Sequence, residues 1–450
     1  MIDEAIFKAY DIRGIYPDQL NEDIAYKVGR ALVTYLNCDQ IAVGQDVRLS
    51  SPSLFESLAR GINDSGADVY HLGVISTDGM YFAVGKYGFP AGIMITASHN
   101  PGQYNGFKMC REKAIPLSGD EGIDEIREII NKGQFREGTG KIVEKIITED
   151  YVEHILGFIN VNNLKPPAVE HPLRVVVDCG NGVGGIFIKK LFEYLPCKLI
   201  PMYLEPDGNF PNHLPNPIEP ENTQEIRQKV VDINADLGAA FDGDADRVFL
   251  VDNKGRVLNG GIVGALIARS LLHKEPQSKF VYNIICSRVM REMVEKYGGT
   301  AIKSRVGHAF IKPLMRKYDA IFGAEHSGHF YFRDNFYADS GLIAFVIILE
   351  LVSQENEDLA QLVDKIDNRF RIDETNFQVD DISEKMKELE RKLKTKGYTI
   401  DKLDGLTVEM DDFWFNLRPS NTEPLIRMNI EAKSQELLEE KKKELARLFR

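Results

Sequence analysis

The chain has 450 residues, 43% of them hydrophobic and 27% charged, with a formal net charge of −13 at pH 7. That length is more than one core can hold and implies about three to four domains. The acidic balance argues against a non-specific nucleic-acid binder and against attraction to anionic lipid, although local arginines can still build a positive cleft for an anionic substrate. Five cysteines (Cys38, Cys110, Cys179, Cys197 and Cys286) are scattered with no Cys-x-x-Cys pair, which points to reduced thiols and not to a disulfide framework or zinc site. The N-terminus carries Asp3 and Glu4 without a long apolar run, and the strongest apolar segment, 342–349, is far short of a membrane span. A cytoplasmic protein with no membrane or nucleic-acid partner is expected, and 342–349 reads as a buried helix.

Strand-like and helix-like segments alternate through the first three quarters, the pattern of α/β domains. The first such domain is expected over 1–150. It opens with a short apolar segment and Asp11-Ile12-Arg13-Gly14, and its strand over 91–95 ends in Thr96-Ala97-Ser98-His99-Asn100-Pro101. Asn105-Gly106-Phe107-Lys108 follows a Pro-Gly turn. A serine hydroxyl is a weak nucleophile near neutral pH, so Ser98 needs a base such as His99, or a metal and cations that stabilise a phosphoryl group carried on it. A plain strand end with turn formers is the simpler reading of the same residues.

A second α/β domain is expected over 151–255. A polar helix candidate within 141–165 stops at Pro166-Pro167, a natural boundary; a strand over 173–178, a glycine turn and a helix over 185–194 follow. Gly180, Gly182 and Gly185 fit a dinucleotide fingerprint, and Glu205 stands where a ribose-binding acid would. A tight turn selects the same glycines for steric reasons. The loop over 206–220 is rich in turn formers. A strand over 237–241 then leads into Asp242-Gly243-Asp244-Ala245-Asp246-Arg247, and 248–251 continues as a strand.

Carboxylates at i, i+2 and i+4 can converge on one side of a strand-like loop, and such a set with room for water and phosphate suits Mg²⁺. An EF-hand would need glycine at Arg247 and glutamate at Asn253. Aspartyl-phosphate chemistry of the haloacid dehalogenase type is a weaker reading, because the fifth position is Asp246 where Thr or Val is usual. An acidic surface turn would leave three carboxylates repelling one another.

The third domain is expected over 256–370, after a hairpin-type turn at 253–255. Its string Glu325-His326-Ser327-Gly328-His329 can hydrogen-bond vicinal sugar hydroxyls and move a proton; a metal site there lacks a third ligand at familiar spacing. The remainder, 371–450, reads as a small α+β domain, with a charged helix over 383–396, strands near 407–409, 413–417 and 425–431, and a final amphipathic helix. Arg418-Pro419-Ser420-Asn421-Thr422-Glu423-Pro424 joins two of those strands. Arg418 offers a bidentate fork, and the turn adds short donors and exposed backbone N–H groups for phosphate. A polar hairpin turn is the simpler reading.

Together, in this order and spacing, and with Tyr10-Asp11-Ile12-Arg13-Gly14 and the loop over 206–217, these motifs resemble the α-D-phosphohexomutase family along the full length, most closely its phosphomannomutase/phosphoglucomutase branch. The resemblance implies three mixed α/β domains and a C-terminal α+β, TATA-binding-protein-like domain around a central cleft. It implies Ser98 as the phosphorylated serine, with Asp242, Asp244 and Asp246 holding Mg²⁺ beside its phosphate so that Ser98 completes the metal site. Glu325 and Ser327 would bind the sugar's O3 and O4, and Arg418, Ser420, Asn421 and Thr422 the phosphate that is not reacting. Arg13, His99, Lys108 and Arg247 would line the reacting end, with His308 and His329 as further cleft residues. His329 is the proton-transfer candidate, and Lys108 could share that task.

The implied reaction moves a phosphoryl group between the 1- and 6-positions of a mannose or glucose phosphate, through a hexose 1,6-bisphosphate that also serves as activator. Phosphoglucosamine mutase is the alternative within the class; such relatives more often show Gln at His326 and Ser at Thr96. A non-catalytic sugar-phosphate-binding protein is the alternative outside it. The chain would act as a monomer or dimer. One departure is Ile285, ahead of Cys286-Ser287-Arg288, where relatives commonly carry lysine; the resemblance implies that substrate contact changes there.

Overall fold

The computed structural model describes residues 3–119, 121–164, 172–420 and 424–449. Strand Ala91–Ile95 is buried at every position, because it runs inside a sheet covered on both faces, where apolar β-formers need no alternation. That sheet runs in the order Ile12–Ile15, Tyr104–Arg111, Ala91–Ile95, Gln40–Gln45, Asp68–Val74 and Ile142–Glu144, with Ile115–Pro116 attached beside Tyr104–Arg111. The strand Tyr104–Arg111 was not expected from sequence. It pairs antiparallel with Ala91–Ile95, placing Lys108 opposite Met94, and with Ile12–Ile15, placing Gly106 opposite Arg13. Ser98, Lys108 and Arg13 are thereby drawn to one sheet edge.

The second sheet orders Val248–Asp252, Leu237–Phe241, Arg174–Asp178 and Lys198–Met202, and the third orders Thr300–Ser304, Lys279–Asn283, Phe322–Ala324, Phe330–Phe332 and Ala338–Asp339. Ala91–Ile95, Leu237–Phe241 and Phe322–Ala324 each lie parallel to a neighbour. The serine, aspartate and Glu325–His329 loops leave their C-terminal ends, where open α/β sheets bind ligands. The fourth sheet, Phe370–Gln378, Leu425–Ala432, Phe413–Pro419 and Leu406–Glu409, is wholly antiparallel and accompanies helices Ile382–Thr395 and Gln435–Ala446.

Helix Gly341–Gln354 is buried from Gly341 through Ser353, as its apolar run predicts. The helix expected within 141–165 is Thr148–Leu156, preceded by a short strand, Ile142–Glu144; Pro166 and Pro167 lie outside the described residues. Among those residues no helix is long and apolar enough to cross a membrane.

One continuous apolar cluster runs through the first three sheets, from Met94 through Val177 and Phe241 to Phe322 and Phe345. The fourth sheet has its own core around Leu389, Phe415, Ile430 and Leu445. The two meet at a small apolar contact of Ile284, Ile285 and Trp414, with Val306 against it. Domains with separate cores can shift without unpacking either one.

Candidate active site

Ser98 sits just past its strand in the left-handed region, φ 50°, and is 4% exposed. Its N–H donates to Thr96 Oγ1 (2.8 Å), and its Oγ donates to Asp242 Oδ2 (2.8 Å) and accepts from Arg247 Nη2 (3.3 Å). His99 Nδ1 lies 3.3 Å from the same Oγ but already accepts from Arg247 Nη2 at 2.5 Å. Burial, then Arg247 and Arg13, push the His99 imidazole well below its ordinary pKa, so the ring is neutral and acts on Ser98 through Arg247, whose guanidinium it helps to orient. It is badly placed as a base for Ser98.

The aspartate loop supplies the facing wall. Arg247 grips Asp242 through Nε (2.9 Å) and through its own backbone N–H (3.1 Å). Lys108 Nζ donates to Asp244 Oδ2 (2.7 Å) and Asp246 Oδ2 (2.6 Å), and Thr77 Oγ1 also reaches Asp244 Oδ2 (2.5 Å). Burial pushes the Asp242 carboxyl up against the pull of Arg247, with Asp246 and Asp244 adding to the rise. Burial opposes ionisation of Asp244 and Asp246 too, yet Lys108 with the Thr77 hydroxyl at Asp244, and Lys108 with His329 and Arg247 at Asp246, together hold both below the usual range. The same pair of carboxylates outweighs burial at Lys108 and holds its ammonium firmly protonated.

Carboxylate oxygens of Asp242, Asp244 and Asp246 lie within 4.8 Å of one another. Oδ1 of Asp244 and of Asp246 are buried without a hydrogen-bond partner. Orphaned anionic oxygens converging in a dry loop fit a hard divalent cation. A second cluster, Asp246, His329 and Asp339, has similar spacing and shares Asp246 with the first; Lys312 Nζ lies 2.8 Å from Asp339 Oδ1 there.

Arg13 reaches this end from the neighbouring strand, donating to Asn100 Oδ1 (2.6 Å) and Asp11 Oδ2 (2.5 Å). His329 lies above the aspartates, with Nδ1 3.1 Å from Ser327 Oγ and Nε2 3.7 Å from Asp246 Oδ1. A β-bridge between His329 and Arg247 joins its loop to the second sheet. His308 opens helix His308–Tyr318, and burial with Lys312 nearby lowers its pKa to about 3. Glu325 is 3% exposed and accepts from Tyr331 OH (2.6 Å), Asn283 Nδ2 (3.0 Å) and Gly307 N–H (2.9 Å). Those three donors fix its orientation and leave a carboxylate acceptor site over.

Ser98, His99, Lys108, Arg13, Arg247, His308 and His329 line one cavity of about 160 Å³. A larger space of about 1000 Å³ shares His99 and extends past His326 and Ser327 to Arg418. At that far end Arg418 Nη2 donates to Glu374 Oε2 (3.2 Å), and Arg427, opposite Arg418 in register, reaches the same oxygen at 3.5 Å. Ser420 Oγ is 3.5 Å from Arg427 Nη2; Asn421 and Thr422 lie outside the described residues. Arg427 and Glu374 had no motif to reveal them, although strand alternation places Arg427 beside Arg418 once both strands are paired. Tyr10, Asp11, Tyr81, Lys312 and Asp339 also line the reacting end and were missed as site residues.

Four domain signatures of phosphoglucomutase/phosphomannomutase match in sequence: alpha/beta/alpha domains I, II and III over residues 4–137, 149–255 and 259–370, and the C-terminal domain over 374–448. The chain belongs to the phosphoglucomutase/phosphomannomutase family. It is 40% identical to phosphohexose mutases of Xanthomonas campestris over 448 residues, 99% of each chain. It is equally 40% identical to a phosphomannomutase of Escherichia coli K12 over 437 residues, 95% of this chain and 94% of that one. A crystal structure of a family protein from Burkholderia thailandensis superposes with a TM-score of 0.90 at 34% identity, covering 100% of this chain and 97% of the other.

Within this phosphohexomutase frame the glycine turn finds a steric explanation. A Cβ on Gly182 would lie 2.7 Å from Gly243 O, and one on Gly185 only 1.9 Å from Leu204 O. Close approach of the protein's own backbone accounts for both glycines without a dinucleotide, and Glu205 pairs with Lys189. Ile285 is 5% exposed and packs on Trp414 across the contact between the third and fourth sheets. Here the position serves interdomain packing.

Proposed function

We propose that this protein is a phosphohexose mutase that passes a phosphoryl group between the 1- and 6-positions of a hexose phosphate through Ser98. The observation that carries this reading is the Ser98 hydroxyl, held 2.8 Å from Asp242 and within reach of Arg247, at one end of a cleft whose other end is Arg418 and Arg427. Full-length kinship with phosphomannomutases and phosphohexose mutases supports it.

Phosphoryl transfer asks mainly for positioning and charge neutralisation, because its loose transition state spreads negative charge over the equatorial oxygens. Phospho-Ser98 donates to a free sugar hydroxyl: the sugar O–P bond forms, the Ser98 Oγ–P bond breaks, and the sugar's proton leaves. His329 takes that proton in this reading, since its Nε2 has only longer contacts, 3.7 Å to Asp246 and 3.9 Å to Asp339. Lys108 is tied to two carboxylates and serves as fixed charge. Arg247 compensates the oxygen left on Ser98. Asp242, Asp244 and Asp246, with the Ser98 phosphate, would hold Mg²⁺, which when bound neutralises charge on the transferring group.

The resulting 1,6-bisphosphate turns end for end and returns its other phosphate to Ser98. Arg418, Ser420, Asn421 and Thr422 must therefore accept either phosphate. Glu325 and Ser327 would read O3 and O4, positions that do not distinguish mannose from glucose. The test is a coupled assay with Mg²⁺ and trace bisphosphate, comparing mannose, glucose and glucosamine phosphates. Turnover of mannose and glucose phosphates is expected. Preference for glucosamine phosphate would move the chain to that specificity, and no turnover of any would support a non-catalytic binder.

A further inference from the structure

Arg48 lies directly beneath the serine loop, outside every motif the sequence singled out. Its side chain is fully buried, and each of its five N–H donors has a partner. Nε donates to Asp46 Oδ2 (3.0 Å), Nη1 to the carbonyls of Pro101 (2.7 Å) and Tyr104 (3.0 Å), and Nη2 to those of Ser98 (2.8 Å) and Asn100 (2.6 Å). Asp46 is fixed in turn by Ser51 Oγ (2.7 Å) and the Arg48 N–H (3.0 Å). One planar cation thus gathers four carbonyls from the segment that turns Ser98 into the cleft. A buried guanidinium is tolerated only when it is paired and fully hydrogen-bonded, so the loop and Arg48 hold each other in a single arrangement.

The turn-rich loop from the second sheet closes over this arginine. The Phe210 ring lies 5.2 Å from Arg48 Cζ. Gly208 packs so tightly that a Cβ there would sit 2.3 Å from Val47 O and 2.9 Å from Arg48 Cα. On the other side, a Cβ at Gly243 would come within 2.5 Å of Ser98 O, so the aspartate loop rests on the same carbonyl that Arg48 holds. The left-handed φ of 50° at Ser98 is a conformation a non-glycine residue keeps only when its surroundings over-determine it.

We infer that Arg48 is a positioning residue for phosphoryl transfer: it fixes the Ser98 backbone so that Oγ stays against Asp242 and Arg247, and the Gly208–Phe210 segment is its cover. The inference rests on the Ser98 reading above. Lysine has one nitrogen and three donors and cannot span four separated carbonyls, so R48K keeps the charge and loses the fork.

The experiment compares wild type, R48K, R48A and G208A by thermal melting, by kcat and KM for glucose 1-phosphate, and by the rate at which glucose 1,6-bisphosphate phosphorylates Ser98, read by intact mass. Folded R48K is expected to lose about 100-fold in kcat, the scale of an ångström-sized misplacement, with KM within about threefold of wild type and Ser98 phosphorylated correspondingly slowly. G208A shows the same pattern more weakly. Guanidinium ion restores kcat of R48A where equal potassium chloride does not, an effect that a merely structural role would not produce. Folded R48K with near wild-type kcat, activity loss that only tracks the unfolded fraction, or R48A indifferent to guanidinium would each overturn the inference. If R48A does not fold, R48K decides. Wild type that neither turns over nor accepts phosphate removes the Ser98 reading itself, an outcome separate from active wild type beside active R48K.

Discussion

The two ends of the cleft are built differently. Around Ser98 the side chains are buried and interlocked: Asp242 and Asp244 are 0% exposed and Arg247 4%, and the loops bearing them rest on a core shared by three sheets. Around Arg418 the fourth sheet has a core of its own, and Arg418 and Arg427 share one partly exposed carboxylate, Glu374. A preorganised reacting end stabilises developing charge without reorganising at the moment of reaction. Arg418 is itself buried, but Arg427 and Glu374 beside it are partly exposed. In the reaction proposed above this end, carried on its own core, would take a phosphate from either orientation of the turning intermediate. The two ends thus rest on separate cores.

Mutations at the two ends should act on different kinetic parameters. Lys108→Met at the reacting end removes the cation bridging Asp244 and Asp246 and should lower kcat by about 100- to 1000-fold, with a much smaller change in KM, measured by steady-state kinetics. Arg418→Ala at the far end should raise KM by about 10- to 100-fold, the scale of a lost charge-assisted phosphate contact, and lower kcat far less. If both variants changed the same parameter, the contrast between the ends would fail. Ile285→Lys places a charge in the apolar contact with Trp414; melting should show the fourth domain loosened by about 2 kcal/mol, with the first three domains unaffected.

The smallest expected effect is one of pH. Asp78 accepts from Ser340 Oγ (2.5 Å) and from the Gly79 N–H (2.9 Å) where the first three sheets meet, and burial raises its carboxyl to about 7 from 3.8. The folded state then holds a proton that the unfolded state has lost, so this contribution is present at low pH and fades as pH rises through about 7. Between pH 6 and 8 the wild type should lose roughly 1 kcal/mol relative to Asp78→Asn, measured by denaturant unfolding at each pH. An unchanged gap would remove the raised carboxyl from the account.

Continuous apolar runs were legible in sequence because burial on both faces writes itself into composition, as in Ala91–Ile95 and Gly341–Gln354. Tyr104–Arg111 was hidden by its polar and glycine residues. Phe370–Gln378, reading FRIDETNFQ, was hidden by carrying few apolar side chains. The site's motifs were legible where chemistry concentrates unusual residues at short spacing, as at Asp242, Asp244 and Asp246. Arg48 was not, because four of its five hydrogen bonds go to backbone carbonyls, which every residue has. Arg427 and Glu374 were not, because only strand pairing brings them to Arg418. The glycine turn at Gly180–Gly185 carried a misleading signal, since close packing and dinucleotide binding select the same residue.

If phosphate travels on Ser98, it can be followed there. Protein loaded from labelled glucose 1,6-bisphosphate should carry label on the Ser98 peptide and resist hydroxylamine. It should then transfer that label to unlabelled glucose 6-phosphate in a single turnover, and Ser98→Ala should do neither. Label released by hydroxylamine from an Asp242 peptide, or steady turnover undiminished in Ser98→Ala, would contradict the account.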